Sequence, residues 1–222
     1  MSGDRQPGRR TAVLVSGSGS NLQSFIDRVQ AGTLDLELAA VISDRPGAYA
    51  LTRAAVAGIP AQTVNYAEIG DRERFAAELG RVLGEIDPDI VVLAGFMRIL
   101  PPQLVNTYLG RMLNVHPSLL PLYPGLDTYR RALAAGDRWH GSTVHFVTPE
   151  LDAGPGIAQY RVLVRPGETV DSLRSRVQQG EHRLYPEVVG WLAAGRAFHR
   201  GGRAWLDGHP LERPVVVDEP AA

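Results

Sequence analysis

The chain has 222 residues, of which 44% are hydrophobic, so it can bury a substantial core in one large domain or two small ones. Its 23 basic and 24 acidic residues nearly cancel, which leaves no basic field for nucleic acid and no cationic face for a membrane. Cysteine is absent, which excludes disulfides and thiolate chemistry, and no apolar run is long enough to span a bilayer. The absence of cysteine fits a reducing compartment, so we expect a cytoplasmic protein.

Short apolar runs alternate with helical patterns through the first half of the chain. Apolar, β-branched runs predict strands at residues 11–15, 36–43, 61–64 and 90–93. Apolar residues at helical spacing predict helices from Leu22 to just before Gly32, at residues 48–57 and at residues 72–85. This alternation predicts an α/β fold with a doubly wound, mainly parallel sheet.

The second half of the chain is predicted to add antiparallel strands to this fold. Strands are expected at residues 112–116, 141–148, 158–164 and 204–206, and helices at residues 128–135 and 169–192. Because no internal repeat or linker is evident, we expect a single domain over residues 10–208. The polar start (residues 1–9) and the proline-rich end (residues 209–222) are predicted to be flexible tails.

A glycine-rich loop, Ser16-Gly17-Ser18-Gly19-Ser20-Asn21, joins the first predicted strand to the first predicted helix. Glycine permits close approach to an anion, and a helix start offers N–H groups and a positive dipole end. A tight turn with an N-cap is the alternative. Leu22 stands where the dinucleotide fingerprint needs a small residue, and the loop lacks the lysine of a Walker motif. If the loop binds a ligand, a monophosphate ester fits best.

Asn114 and His116 lie two residues apart on a predicted strand that ends at Pro117. They therefore share one face, at the strand end where α/β sheets bind ligands. An amide donor beside a group that carries a proton suits a reaction that places charge on a carbonyl oxygen. Polar residues that merely satisfy local backbone groups are the alternative.

Three other features fit either a ligand or ordinary structure. Residues 94–101 form an apolar loop, which suits a flat aromatic ligand or a buried connection. Asp152 lies in a turn with Gly154 and Pro155, where an aspartate usually serves the turn itself. Glu181 interrupts the apolar stripe of the helix at 169–192, so it needs a partner, either a ligand amine or hydroxyl or an arginine of this chain.

Together these segments resemble the phosphoribosylglycinamide formyltransferase family, folate-dependent enzymes of purine synthesis. The resemblance covers nearly the whole chain, to Trp205-Leu206-Asp207-Gly208, and implies a Rossmann-like formyltransferase fold. The motifs, in order, are Ser16-Gly17-x-Gly19-Ser20-Asn21-Leu22-Gln23, Val91-Val92-Leu93-Ala94-Gly95-Phe96-Met97-Arg98-Ile99-Leu100, Leu113-Asn114-Val115-His116-Pro117-Ser118-Leu119-Leu120-Pro121, His145-Phe146-Val147 and Glu150-Leu151-Asp152-x-Gly154-Pro155. Asp127 and Tyr129 stand where some relatives have histidines, so we assign them no chemistry.

The resemblance implies roles for individual residues. Asn114, His116 and Asp152 would form the catalytic group. The residues that would bind glycinamide ribonucleotide are Gly19, Ser20, Asn21, Leu22, Gln23, Gln178, Gln179, Gly180 and Glu181. Those that would bind the co-substrate 10-formyltetrahydrofolate are Arg72, Met97, Arg98, Ile99, Leu100, Asn114, Thr148, Pro149, Glu150, Leu151 and Asp152. No metal is implied. Family members can dimerise, and no feature of this sequence decides for or against a homodimer.

In the implied reaction, the glycinamide amine attacks the formyl carbon and the carbonyl oxygen becomes an oxyanion. Asn114 and protonated His116 would hydrogen-bond this oxyanion. Asp152 would favour the protonated imidazole, since an opposite charge stabilises the charged form, and it could organise a relaying water.

Formyltetrahydrofolate deformylase, which passes the formyl group to water, is the main alternative. It usually has an N-terminal regulatory domain, for which we expect no room before Thr11. Methionyl-tRNA formyltransferase needs a further C-terminal domain and a basic surface, and we expect neither here. Leu22 disfavours a nicotinamide dehydrogenase, and a non-catalytic nucleotide-binding module does not need the group of Asn114, His116 and Asp152.

Overall fold

A computed structural model describes residues 8–220, which form two compact units that divide after Arg98. The predicted tail at residues 1–9 lies outside the described residues except for Gly8 and Arg9. Across residues 8–220, no helix has the length and apolar character needed to span a membrane.

The first unit is an α/β layer with parallel strands. Its elements are β1 (Arg9–Val15), α1 (Ser20–Gln30), β2 (Leu36–Ser43), α2 (Tyr49–Val56), β3 (Ala61–Thr63), α3 (Tyr66–Ile69), α4 (Arg72–Ile86) and β4 (Ile90–Leu93). The strand order is β4-β1-β2-β3, and each neighbouring pair is parallel. Parallel neighbours need a crossover connection, which the intervening helices supply.

The core of the first unit follows from its continuous apolar strands. Val13 and Leu14 of β1 and Val92 of β4 are fully buried, as expected for strands covered on both faces. Helices α1 and α4 pack with their apolar stripes inward, so Phe25 and Leu79 are fully buried as well.

The second unit combines antiparallel strands with one parallel edge strand. Its elements are α5 (Pro102–Thr107), β5 (Met112–His116), α6 (Thr128–Ala135), β6 (Trp139–Phe146), β7 (Gly156–Leu163), α7 (Val170–Ala193), β8 (Ala197–Arg200), β9 (Arg203–Leu206), β10 (His209–Pro210) and β11 (Val215–Asp218). The order β11-β7-β6-β5 is antiparallel at β5–β6 and β6–β7 and parallel at β11–β7. Strands β8, β9 and β10 form a small antiparallel sheet. The predicted fold class is confirmed: mainly parallel α/β, with antiparallel strands in the C-terminal half.

The segment at residues 209–222, predicted to be a flexible tail, contains β10 and β11. Strand β11 pairs with β7 from Val215 to Asp218. Arg161 Nε donates to Asp218 Oδ1 at 2.7 Å, and Arg176 binds both Glu168 and Glu219. The Arg176 hydrogen bond is the main cause that lowers the pKa of Glu219. The prolines prompted the tail prediction, whereas the valine run between them adds an edge strand that ion pairs hold in place.

Helix α7 lies close against β7 at Gly180. A Cβ atom on Gly180 would lie 1.9 Å from Cδ1 of Tyr160, closer than any van der Waals contact allows. Tyr160 is itself buried and cannot easily move aside. Glycine at this position is therefore a packing requirement of the helix–strand interface.

We predict that Gly180→Ala lowers the free energy of unfolding by about 1–3 kcal/mol, because the added methyl overpacks the interface with Tyr160. Gly84→Ala is a matched control within helix α4, since a Cβ there meets nothing within 4 Å. The control should gain about 0.5–1 kcal/mol from the lower entropy of its unfolded chain. Urea unfolding of both variants measures the difference, and equal stability of the two would contradict the close approach.

Candidate active site

The antiparallel pairing of β5 with β6 gathers four polar side chains in the second unit. Asn114 stands opposite His145, and His116 stands opposite Thr143. Opposite residues on paired strands project to the same side of the sheet, so all four share one face. Asn114 and His116 share one face as predicted, and Thr143 and His145 lie on the same face. His116, Thr143 and His145 are buried, while Asn114 is partly exposed.

Both ring nitrogens of His116 face oxygen atoms. Its Nε2 lies 2.9 Å from the carbonyl oxygen of Tyr123, and its Nδ1 lies 3.4 Å from Oδ2 of Asp152. A carbonyl accepts only, so Nε2–H is the donor in the first contact. The contact with Asp152 is longer than an ordinary hydrogen bond but short for an ion pair. Only the imidazolium form has an N–H at both nitrogens, and a carboxylate stands beside it to compensate the charge.

Asp152 connects the turn after β6 to the loop after β5. Its Oδ2 accepts a hydrogen bond of 2.9 Å from the backbone N–H of Gly125. Its backbone is left-handed, with φ of 52°, a region where Asp and Asn are enriched among residues other than glycine. Both side chains of the His116–Asp152 pair are only 7% exposed, so solvent screens their attraction weakly. The structure thus brings Asp152 into contact with His116, which shares a strand face with Asn114, and Gly125 holds the Asp152 carboxylate.

His145 orients the amide of Asn114, a role that sequence reasoning missed. His145 Nδ1–H donates to the carbonyl oxygen of Phe146 at 2.9 Å, which leaves Nε2 as an acceptor in the neutral ring. Burial lowers the pKa of His145, which favours this neutral form. Asn114 Nδ2 lies 3.3 Å from Nε2 and can donate one N–H to it. The amide is thereby fixed with its nitrogen toward His145, and its second N–H can serve a ligand.

We predict that His145→Leu lowers kcat by roughly tenfold to a hundredfold, because the Asn114 amide loses the acceptor that orients it. The KM values for both substrates should stay within about twofold. His199→Leu is the matched control, since His199 is a half-buried histidine that packs against Phe146, with ring centroids 5.6 Å apart. Steady-state kinetics of both variants test the role, and equal activity of the two would argue against it.

His140 lies among aromatic rings near the loop that follows β5. It is 1% exposed, and burial is the main cause that lowers its pKa to about 4. Its ring meets Tyr129 edge to face, with centroids 5.2 Å apart. Among the described residues, no partner is found for its Nε2 atom. His140 is therefore a neutral histidine of the core, and acidification must charge it at the expense of the fold.

The depressed pKa of His140 predicts a loss of stability in mild acid. The unfolded chain binds the proton below about pH 6.5 whereas the native state resists it to about pH 4, so stability falls as pH decreases through this window. Between pH 7 and pH 5, the unfolding free energy of His140→Gln should therefore fall by about 2 kcal/mol less than that of the wild type. The exposed His209→Gln is the control. Urea unfolding at both pH values measures the decrease; an unchanged pH dependence in His140→Gln would rule out this cause.

Two residues brace the loop after β5. Thr143 Oγ1 donates to the carbonyl oxygen of Ser118 at 2.7 Å and accepts from the N–H of Leu120 at 3.0 Å. Gln159 Nε2 donates to the carbonyl oxygen of Leu120 at 2.8 Å. These contacts hold the loop between His116 and Tyr123, whose carbonyl oxygen accepts from His116. Alternation predicted the face of Thr143, but no sequence signal identified its partners.

The glycine-rich loop of the first unit leads directly into the N-terminus of α1. Gly19 is the N-cap of α1, is left-handed with φ of 71°, and no side chain caps the helix. A glycine N-cap in a tight turn is also what the alternative interpretation predicts. The N–H groups of a helix's first turn lack intrahelical acceptors, so here they can face an anion. Ser20 and Asn21 are both partly exposed beside them.

Gln23, the last residue of this predicted site, has a fully engaged side chain. Its Nε2 donates to Asp27 Oδ1 at 2.8 Å, and its Oε1 accepts from Arg53 Nη1 at 2.9 Å. Its backbone N–H donates to the Gly19 carbonyl oxygen. Gln23 therefore shapes the loop more readily than it contacts a ligand.

The start of the apolar loop at residues 94–101 is tied to two strand ends in the first unit. The N–H of Met97 donates to Oγ of Ser16 at 2.9 Å, and Arg98 Nε donates to Oδ2 of buried Asp44 at 2.7 Å. The Arg98 guanidinium also lies 3.9 Å from the ring centroid of Tyr66. The Arg98 side chain is thus structural, whereas that of Met97 is 59% exposed and can contact a ligand.

The remaining predicted residues differ in exposure. On α7, Glu181 is 5% exposed, as its place in the apolar stripe predicted. Gly180 packs on Tyr160, and Gln179 faces solvent. Besides Met97, the exposed residues of the folate set are Arg72, Ile99, Glu150 and Leu151; Thr148 and Pro149 are half-buried, and Leu100 is buried. Among the described residues, no group of three or more His, Cys, Asp or Glu side chains could hold a metal ion.

Comparisons with known proteins agree with this geometry. The family model described as "Formyl transferase" matches residues 9–189. The chain is 49% identical to phosphoribosylglycinamide formyltransferase of Escherichia coli (strain K12), over 90% of this chain and 94% of that protein. The solved structure of phosphoribosylglycinamide formyltransferase from Coxiella burnetii is 46% identical with a TM-score of 0.90, covering 94% of this chain and 99% of that one. A formyltetrahydrofolate deformylase from Pseudomonas syringae is more distant, at 29% identity and a TM-score of 0.84, covering 90% of this chain and 66% of that one.

Proposed function

This chain belongs to the formyl transferase family, and we propose that it transfers the formyl group of 10-formyltetrahydrofolate to the amine of 5-phosphoribosylglycinamide. The products are formylglycinamide ribonucleotide and tetrahydrofolate, in a step of de novo purine (IMP) synthesis. The observation that carries the proposal is the group of Asn114, His116 and Asp152 on one face of the second unit. The 49% identity to a protein of that name supports the choice of acceptor.

The chemistry follows from the donors and charges of this group. The substrate amine forms a bond to the formyl carbon, and the carbonyl oxygen becomes an oxyanion. The N–H of Asn114 that His145 leaves unused can hydrogen-bond this oxygen, and one such donor is typically worth about 3 kcal/mol. The Nε2–H of His116 donates to the carbonyl oxygen of Tyr123. The other ring nitrogen, Nδ1, makes only a long contact with Asp152, so Nδ1 is the atom that can share a proton with the reacting oxygen.

The reaction is completed by proton transfer. The bond between the formyl carbon and the folate nitrogen breaks as the oxyanion collapses to a carbonyl. The amine loses one proton overall, and the folate nitrogen gains one. Asp152, beside His116 and aligned by Gly125, can accept and return this proton directly or through a water. No covalent enzyme intermediate is required.

The proposed binding roles are those that the family resemblance implies. The glycine-rich loop and the start of α1 would hold the phosphate, chiefly through backbone N–H groups. Residues 178–181 of α7 would contact the same substrate, with buried Glu181 accepting from ribose hydroxyls. Residues 97–100 and 148–152 would receive the pteridine, and Arg72 the acidic tail of the folate. We propose a single catalytic domain at residues 10–208. The cytoplasmic location and the homodimer stay predictions. Analytical ultracentrifugation would test the homodimer.

We predict that Asn114→Ala, His116→Ala and Asp152→Asn each lower kcat by about a hundredfold or more, while KM for either substrate changes far less. Asp152→Asn isolates the charge, because asparagine also tolerates the left-handed backbone at this position. Thr52→Ala, at an exposed position on α2, is the control. Near-normal turnover in His116→Ala would exclude its proposed role.

The activity itself is tested by incubating the protein with 10-formyltetrahydrofolate, with and without glycinamide ribonucleotide. Tetrahydrofolate and formylated product should appear together, and only when the ribonucleotide is present. Equal folate turnover without it, with release of formate, would instead establish a deformylase.

A further inference from the structure

Arg53 of helix α2 connects the glycine-rich loop to helix α1. Its Nε donates to the carbonyl oxygen of Ser18 at 2.8 Å, and its Nη1 donates to Oε1 of Gln23 at 2.9 Å. Ser18 precedes the N-cap Gly19, and Gln23 lies in the first turn and a half of α1. One planar guanidinium therefore holds both the loop and the helix that starts from it.

The rigid fork of arginine matters for this connection. The guanidinium nitrogens have fixed separations, so two simultaneous hydrogen bonds set the distance between the Ser18 carbonyl and the Gln23 side chain. Gln23 passes the constraint on, because its Nε2 donates to Asp27 Oδ1 one turn further along α1. Lysine carries a single ammonium on a flexible stem and cannot reproduce this spacing.

The stem of Arg53 is also packed beneath the loop. A Cβ on Gly19 would lie 2.7 Å from Cβ of Ala50 and 3.3 Å from Cδ of Arg53, so α2 directly supports the loop. The backbone N–H of Ala50 donates to the carbonyl oxygen of Gly17 at 3.1 Å. The guanidinium lies 4.9 Å from the ring centroid of Tyr49. Arg53 is therefore held in one orientation, with its donors toward the loop.

This orientation has an electrostatic consequence for an anion. Carbonyl oxygens carry partial negative charge and repel a phosphate, whereas backbone N–H groups attract it. By binding the Ser18 carbonyl, Arg53 keeps that oxygen directed at the guanidinium. It also adds a full positive charge beside the positive end of the α1 dipole.

We propose that Arg53 is a positioning residue for the phosphate-binding loop, which it holds in the shape that receives the phosphate of the ribonucleotide substrate. The inference rests on the proposed function, since it concerns the phosphate end of that substrate. It assigns to Arg53 an effect on substrate affinity and none on the chemical step.

Arg53→Met tests the proposal because it keeps an unbranched stem and removes both donors. The KM for glycinamide ribonucleotide should rise about tenfold, with kcat and the KM for folate within about twofold. The inhibition constant of ribose 5-phosphate, used as a competitive inhibitor, should rise by the same factor. Arg53→Lys should recover only part of the affinity, because it can replace only one of the two hydrogen bonds. Arg81→Met is the matched control, an arginine of the same unit whose partners are Glu78 and Glu85.

Several outcomes would overturn the proposal. An unchanged KM for the ribonucleotide in Arg53→Met would do so, as would equal losses for both substrates together with a lower Tm, which indicate general structural damage. If Arg53→Met does not fold, Gln23→Met removes the acceptor on α1 and must raise the same KM. Failure of the wild-type protein to formylate the ribonucleotide would refute the proposed function, a result distinct from any change in Arg53 variants.

Discussion

The antiparallel register between β5 and β6 is the constraint on which the catalytic face of the second unit depends. It sets Asn114 opposite His145 and His116 opposite Thr143. A slip of one residue would turn His145 and Thr143 to the other side of the sheet. The backbone bond from Val147 N–H to the Met112 carbonyl continues the pairing beyond β6, so the register is fixed at both ends of β5.

The buried histidines His116, His140 and His145 of the second unit have different surroundings. His140 and His145 are both buried, and desolvation lowers the pKa of each. His116 is buried too, but it faces the carboxylate of Asp152. The two ring nitrogens of His116 face the Asp152 carboxylate and the Tyr123 carbonyl oxygen. The neutral His145 can act as an acceptor for the Asn114 amide.

The sequence predicted features that depend on local periodicity and missed those that depend on long-range register. Alternation on a strand was enough to place Asn114 and His116 on one face, and the helical stripe predicted the burial of Glu181. The partner of Asn114 lies 31 residues away and that of Arg98 lies 54 away, so neither could be found without the fold. The edge strand β11 was missed because its proline-rich flanks outweighed three consecutive valines.

Several residues that the motifs associate with ligands are instead occupied in shaping the backbone. Gln23 is bound by Arg53 and Asp27, and Arg98 is bound by Asp44. Gly180 has no side chain and leaves room for Tyr160. A motif therefore contains both groups that touch a ligand and groups that hold the chain where others can touch it. Because positioning groups act through precise spacing, losing one should weaken binding or slow the reaction even though no ligand contact is removed.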